Sequence, residues 1–295
     1  MKNTAKIMLG ILIASMVYSC LAPIDVATKN GDAYVNIYGY LTTDTTQHHI
    51  RITYSDYFFS AEPPRGIGNA LVSISDEDGN VMVLTESPDT AGLYLTDCDA
   101  YAIEGKMYTL NVEVDIDNDG IKEHFQAKSD VPYSAKTDSI VLTSGKLPYL
   151  PFVKIYGEVP QNQKNYLAIY CSKNNDTVGI FDYLMIVEDW YFDNSNIQGT
   201  EFPLFIEDGI EIGDTLHFRV NSFNQEFAHF SMQVRTETSP SNPILSSPPA
   251  NVISNVKLTD EGKSVNVVGF FSTFSYKTAF RISDTVYPPM MRNDR

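Results

Sequence analysis

The sequence predicts an all-β protein with two β-sandwich-like domains, the first of immunoglobulin or transthyretin type and the second with one packed helix. Three observations carry that expectation. From residue 33 onward, short runs rich in Val, Ile, Tyr and Thr recur, and many alternate apolar with polar residues, the period of a half-buried strand. Asp-Gly and related dipeptides separate those runs at hairpin-like intervals. Only the stretch around 223–237 has helical spacing over several turns.

Residues 1–19 stand apart from this pattern. Lys2 and Lys6 precede an apolar run over 7–17, and Ser19 places a small residue just before Cys20. A basic start, an apolar stretch of this length and a small residue at the cut describe a secretory signal. The stretch is shorter than the roughly 20 apolar residues of a spanning helix. A Cys directly after the small residue is the pattern of a lipoprotein, cleaved before Cys20 and acylated on its thiol. Residues 20–32 then read as a lipid-anchored tether, and the membrane becomes a partner through lipid alone.

The first domain is predicted over 33–132. Residues 34–38 and 49–54 alternate, and 70–75 and 81–85 flank an Asp78-Gly79 turn. Strands at 93–96 and 107–114 follow, and a tight turn at 115–120 leads into 123–127. About seven short strands in such a length describe a sandwich. Residues 130–137 read as a linker. The second domain, 138–290, has strands expected at 152–159, 165–172, 178–187 and 213–220. Its helix is expected near 223–237: Ser222 and Gln225 have capping-box spacing, and Phe223, Phe227, Phe230 and Val234 form one stripe. That stripe reads as core, packed on a sheet. Residues 239–250, with four prolines, read as extended loop, and 264–282 as two final strands.

Composition limits the functions. The formal charge is −16, and loss of residues 1–19 removes two lysines and no acid. Such a surface repels phosphate backbones and argues against nucleic-acid binding. With Cys20 lipidated, only Cys98 and Cys171 remain, in different predicted domains, and two reduced thiols are expected. Enzyme signatures are poor, and no enzyme is predicted. The adjacent His48 and His49 face opposite ways on a strand, and His124, His217 and His229 lack metal-ligand spacing. Neither an H-E-x-x-H nor a G-x-S-x-G is present. A hydrolase built on Glu188-Asp189 or Glu207-Asp208 would need two carboxylates facing each other across a cleft.

Two constellations stand out as candidate binding sites. Asp115, Asp117 and Asp119 with Gly120 have the first half of a calcium loop, with carboxylates at positions 1, 3 and 5. Position 12, however, is Gln126 in place of the bidentate Glu, and Glu123 falls at 9, so an acidic hairpin turn is the simpler reading and no cofactor is assigned. Trp190, the sole Trp, stands with Tyr191 and Asp193 in an aromatic and acidic group that suits stacking on a sugar or peptide face. Aromatic residues in all-β proteins more often pack the core. The ligand, a small molecule or glycan, is not legible.

With this layout, the chain resembles the Bacteroidota lipoprotein family catalogued as domain-of-unknown-function 4249. The matching blocks are Cys20 with Ile24-Asp25, Gly39-Tyr40-Leu41-Thr42, Asn69–Val72 with Asp78-Gly79-Asn80, Gly92-Leu93-Tyr94 and Gly105-Lys106-Met107-Tyr108. The C-terminal blocks are Pro248–Asn251, Asn255 and Val268–Ser272. Residues 171–211 match least. The resemblance implies an outer-membrane lipoprotein encoded beside a TonB-dependent receptor and acting as its non-enzymatic binding or assembly accessory. It supplies no catalytic residues. A structural or adhesive cell-surface lipoprotein is the alternative. Leu21–Ile24 precede a lone Asp25, which leaves the cell-surface and periplasmic faces both open. That phylum O-glycosylates exported proteins at Asp-Ser/Thr before a small or aliphatic residue. Thr45, Thr90, Ser139, Thr177, Thr215 and Thr285 are the candidates here.

Overall fold

Alternation becomes strand over the expected N-terminal runs, whereas the strand expected at 178–187, but for 186 and 187, and the loop expected at 239–250 lie outside the described residues. The computed structural model describes residues 34–56, 62–117, 119–144, 151–174, 186–191, 196–204, 206, 208–238 and 252–288. The N-terminal strands are β1 (Val35–Thr42), β2 (His49–Tyr54), β3 (Leu71–Asp76), β4 (Val81–Glu86), β5 (Leu93–Leu95), β6 (Met107–Val114) and β7 (Glu123–Asp130). Then come β8 (Lys136–Ser144), β9 (Pro151–Glu158), β10 (Tyr166–Lys173), β11 (Ile186–Glu188), a 3-10 turn (Asp189–Tyr191), β12 (Asn196–Pro203) and β13 (Thr215–Phe223). The helix α1 (Gln225–Thr238), β14 (Lys257–Leu258) and β15 (Val267–Ile282) complete the described chain.

The result is an all-β, sandwich-like architecture with one α-helix among the described residues. Twelve strands hydrogen-bond in the order β11-β10-β13-β15-β1-β2-β5-β4-β3-β6-β7-β14, and β12-β9-β8 form a second sheet. In the N-terminal half the large sheet folds over itself at β4, whose Val81–Leu84 pair with β3 while Thr85 and Glu86 pair with β5. Inward residues of both layers, among them Ile37, Ile52, Val72, Leu110 and Phe125, make the first core. The Asp78-Gly79 hairpin forms as predicted. Asp76 closes it, accepting from the Asp78 and Asn80 amides while Lys106 Nζ binds its other oxygen at 2.9 Å.

The C-terminal half uses both faces of one sheet. Leu216, Phe218 and Val220 of β13 point toward β8, β9 and β12, making a second core with Val153, Ile155 and Phe202. The opposite face meets α1. Phe227 lies 5.0 Å from Phe223 and 6.0 Å from Phe274, and Phe230 stacks on Phe270 at 4.5 Å between ring centroids. Each such ring pair adds about 0.5–1.5 kcal/mol beyond area burial. The expected aromatic stripe is therefore core, although Phe223 belongs to β13 rather than to the helix.

Three expectations are corrected. The helix cap is Asn224, whose Oδ1 accepts from Phe227 N at 2.9 Å; Ser222 lies within β13 and accepts from Ala135 N. The two final strands are one continuous strand of 16 residues. Its first half pairs in parallel with β1, from Val35 opposite Val267 to Thr42 opposite Phe274. Its second half pairs antiparallel with β13, from Phe274 to Ile282. The linker expected at 130–137 is cut short, because β8 begins at Lys136. Ala33–Arg295 form one unit by chain contacts.

His48 gives this fold a pH dependence. It is 2% exposed, its Nε2 has no hydrogen-bond partner among the described residues, and burial holds its pKa below the ordinary 6.5 despite the opposing pull of Asp44. His49, against the Tyr40 ring at 5.4 Å, is lowered by burial as well. The folded state thus keeps both rings neutral while the unfolded chain takes up protons near 6.5, so stability is full above that value and falls as pH drops through it. The thermal midpoint of the parent is expected to drop more between pH 7.5 and pH 5 than that of His48→Gln, read by circular dichroism. Equal drops would remove His48 from the account.

Candidate functional site

The first sequence-predicted group is displayed at the surface. Trp190 sits on the 3-10 turn after β11 and is 78% exposed. Its mount is fixed by Asp189, whose two oxygens accept from the Asn165 backbone N at 3.0 Å and from Asn165 Nδ2 at 2.8 Å. Asn165 is itself buried and also donates to Pro160 O. So Asp189, weighed as half of a hydrolytic pair, serves as a clamp. The Tyr191 side chain and all of Asp193 lie outside the described residues, as do Cys20 and Thr177.

The Asp115, Asp117 and Asp119 carboxylates lie within 4.8 Å of one another. They spend much of their accepting capacity on their own turn. Asp115 accepts from Asp119 N and Gly120 N, and Asp119 from Ile121 N. Glu123, the residue at loop position 9, is buried and holds Ile116 N and the Lys263 ammonium. Gln126 at position 12 bonds Asn111. The strands flanking the loop therefore turn its later ligand positions to other work, and Lys263 brings a positive charge beside it. This is the geometry of an acidic hairpin turn.

A groove of 690 Å³ opens elsewhere, between β7, β14 and the start of α1. It exists because β14 covers β7 only at Phe125 and Gln126. Past that point side-chain amides replace a strand. Asn255 donates to Lys128 O and pairs twice with the Phe271 backbone, at 2.7 and 2.9 Å. Asn224 donates to Asp130 O and to Ser129 Oγ, and Ser129 Oγ also accepts from Thr273 N. Met107, Ile253, Leu258 and Phe270 give the groove apolar walls, with Lys128, Lys257, Asp130 and Glu226 at its polar margin. Trp190 does not line it. Sequence reasoning placed the candidate ligand face at Trp190, Tyr191 and Asp193, not here. Asn255 stood in a C-terminal matching block, but nothing in the sequence tied it to a groove.

Of the glycosylation candidates, Thr45, Ser139 and Thr285 are exposed, whereas Thr90 and Thr215 are half-buried. Cys98 and Cys171 are free thiols, and burial pushes the Cys171 thiol up to about 12. Among the described residues no helix is long and apolar enough to cross a membrane.

Fold and surface together define an all-β protein whose two sandwich-like halves share one strand. A family model described as "Domain of unknown function (DUF4249)" matches residues 22–279, and the chain belongs to that family. A comparison with curated proteins gave no match. Among solved structures it is similar to the FN1–FN3 domains of chicken CNTN1, at 14% identity and a TM-score of 0.27, covering 65% of this chain and 61% of that one. The chain thus spans less than two thirds of that structure's length.

Proposed function

We propose that this chain is a lipid-anchored outer-membrane protein that works without catalysis, as a binding or assembly accessory of a TonB-dependent transporter. The leader ending at Cys20 supports the anchor, and the acidic composition suits an exported, solvated body. The observation that carries the binding role is Trp190. An indole left 78% exposed on a turn locked by Asp189 and Asn165 is a preordered anchor for a partner surface or ligand face. At 78% exposure, its truncation gives up little buried surface. Trp190→Ala should keep the thermal midpoint within about 2 °C of the parent, as surface substitutions do. It should also lower recovery of the transporter about tenfold when tagged, lipidated protein is purified from detergent-solubilised outer membranes. Equal recovery with parent and variant would remove Trp190 from the interface, and no transporter with either would remove the accessory role.

A further inference from the structure

The C-terminal half of β15 is an open sheet edge. β1 ends at Thr42, opposite Phe274, so beyond Phe274 β15 has β13 on one side and no strand on the other among the described residues. The direction of its main chain follows from its neighbours. Phe271 N bonds Asn255 and Thr273 N bonds Ser129, both away from β1, whereas Tyr276 N bonds Thr43 on the β1 side. Even-numbered residues therefore present N–H and C=O to the open edge, and Thr278, Phe280 and Ile282 do so in succession.

Lys277 and Arg281 of this strand lie on the opposite face, in ion pairs with Glu104 and Asp284, and leave the face shared with Arg219 apolar. Phe280 is 71% and Ile282 60% exposed, and they share a sheet face with Arg219 and His217 of β13. Arg219 leans over the Tyr276 ring, 4.4 Å from its centroid, and makes no ion pair among the described residues. Sheet edges are ordinarily blunted by charge, proline or a covering loop, and an apolar edge left open is a template for another strand.

We infer that this edge receives an extended segment of a partner protein, added as a strand to β15, with apolar residues against Phe280 and Ile282 and a carboxylate directed at Arg219. Main-chain pairing supplies the hold, and the Arg219 guanidinium, which stacks on Tyr276 but makes no ion pair among the described residues, supplies the preference for an acidic segment. A second copy of this chain is the poorer occupant, because its own edge strand brings Lys277 and Arg281 and no carboxylate to Arg219. The surface goes beyond the accessory role and stands whether or not the partner is a transporter.

Two labelled peptides test it on the full chain by fluorescence anisotropy, one alternating Val with Glu and one alternating Val with Lys. The acidic peptide is expected to bind at least tenfold more tightly, and to slow amide exchange at Thr278, Phe280 and Ile282. Arg219→Gln should bring the two peptides within about twofold of each other. Thr278→Pro removes an outward-facing N–H without breaking the β13 pairing, and should abolish binding. Phe280→Lys should do the same if the proline variant fails to fold. No binding of either peptide, equal binding by the parent, or binding that survives both edge variants would overturn the proposal. A parent that sediments as a dimer through this edge would assign it to a second copy instead.

Discussion

Gly269→Ala is expected to yield no native protein. Gly269 lies in β15 opposite Ile37 with φ +118°, a conformation that side-chain-bearing residues rarely adopt. A Cβ there would stand 2.0 Å from Ile37 O and 2.8 Å from Ile37 N, rigid backbone of the adjoining strand. Relief requires β1 and β15 to part where the chain's first and last described long strands are joined. The cost belongs with the rare losses above about 4–5 kcal/mol. Gly79→Ala is the matched control, since φ is +88° but no atom lies within 4 Å of its Cβ position. It should cost only about 1–2 kcal/mol, the penalty of the backbone conformation alone. Near-ultraviolet circular dichroism of both variants shows which is folded, and urea unfolding compares them wherever native protein is recovered. Similar midpoints would show that the close approach of β1 and β15 is not what the glycine serves.

Asn224→Ala is the second large effect. The side chain caps α1 through Phe227 N and also ties the helix start to Ser129 Oγ and Asp130 O. Loss of the cap costs about 0.5–2 kcal/mol. Buried groups left without their donor add about 1–3 kcal/mol. A loss of about 2–4 kcal/mol in urea unfolding is therefore expected. Asn224→Asp separates the two terms, because a carboxylate still caps but cannot donate, and it faces Asp130. Full recovery by the aspartate variant would reduce Asn224 to a cap and remove its link to β7.

These two positions also mark where local pattern stops being informative. Strands β1, β2, β3 and β6 were legible because each buries alternate residues, and the Asp78-Gly79 turn because its chemistry is local. Gly269 belonged to a recognisable block, yet nothing near it announces a parallel partner more than 200 residues away. β12 was missed: Asn196–Pro203 mixes polar residues with one Gly, and its register slips between Gln198 and Thr200. Ser222 matched a capping box by spacing, but the chain stays in β13 through Phe223 and leaves the cap to Asn224. Among candidate sites, Trp190 was visible as a lone indole among acids, whereas its exposure depends on a clamp 24 residues away. Arg219 and Phe280 gave no signal, because an open edge is defined by where β1 ends.

The accessory role is tested most directly in the living cell by a photoreactive amino acid placed at position 190 of the full-length, lipidated protein. Ultraviolet cross-linking followed by mass spectrometry should trap one dominant product, containing an outer-membrane β-barrel receptor. Uncross-linked protein throughout, or products containing only soluble proteins, would contradict it.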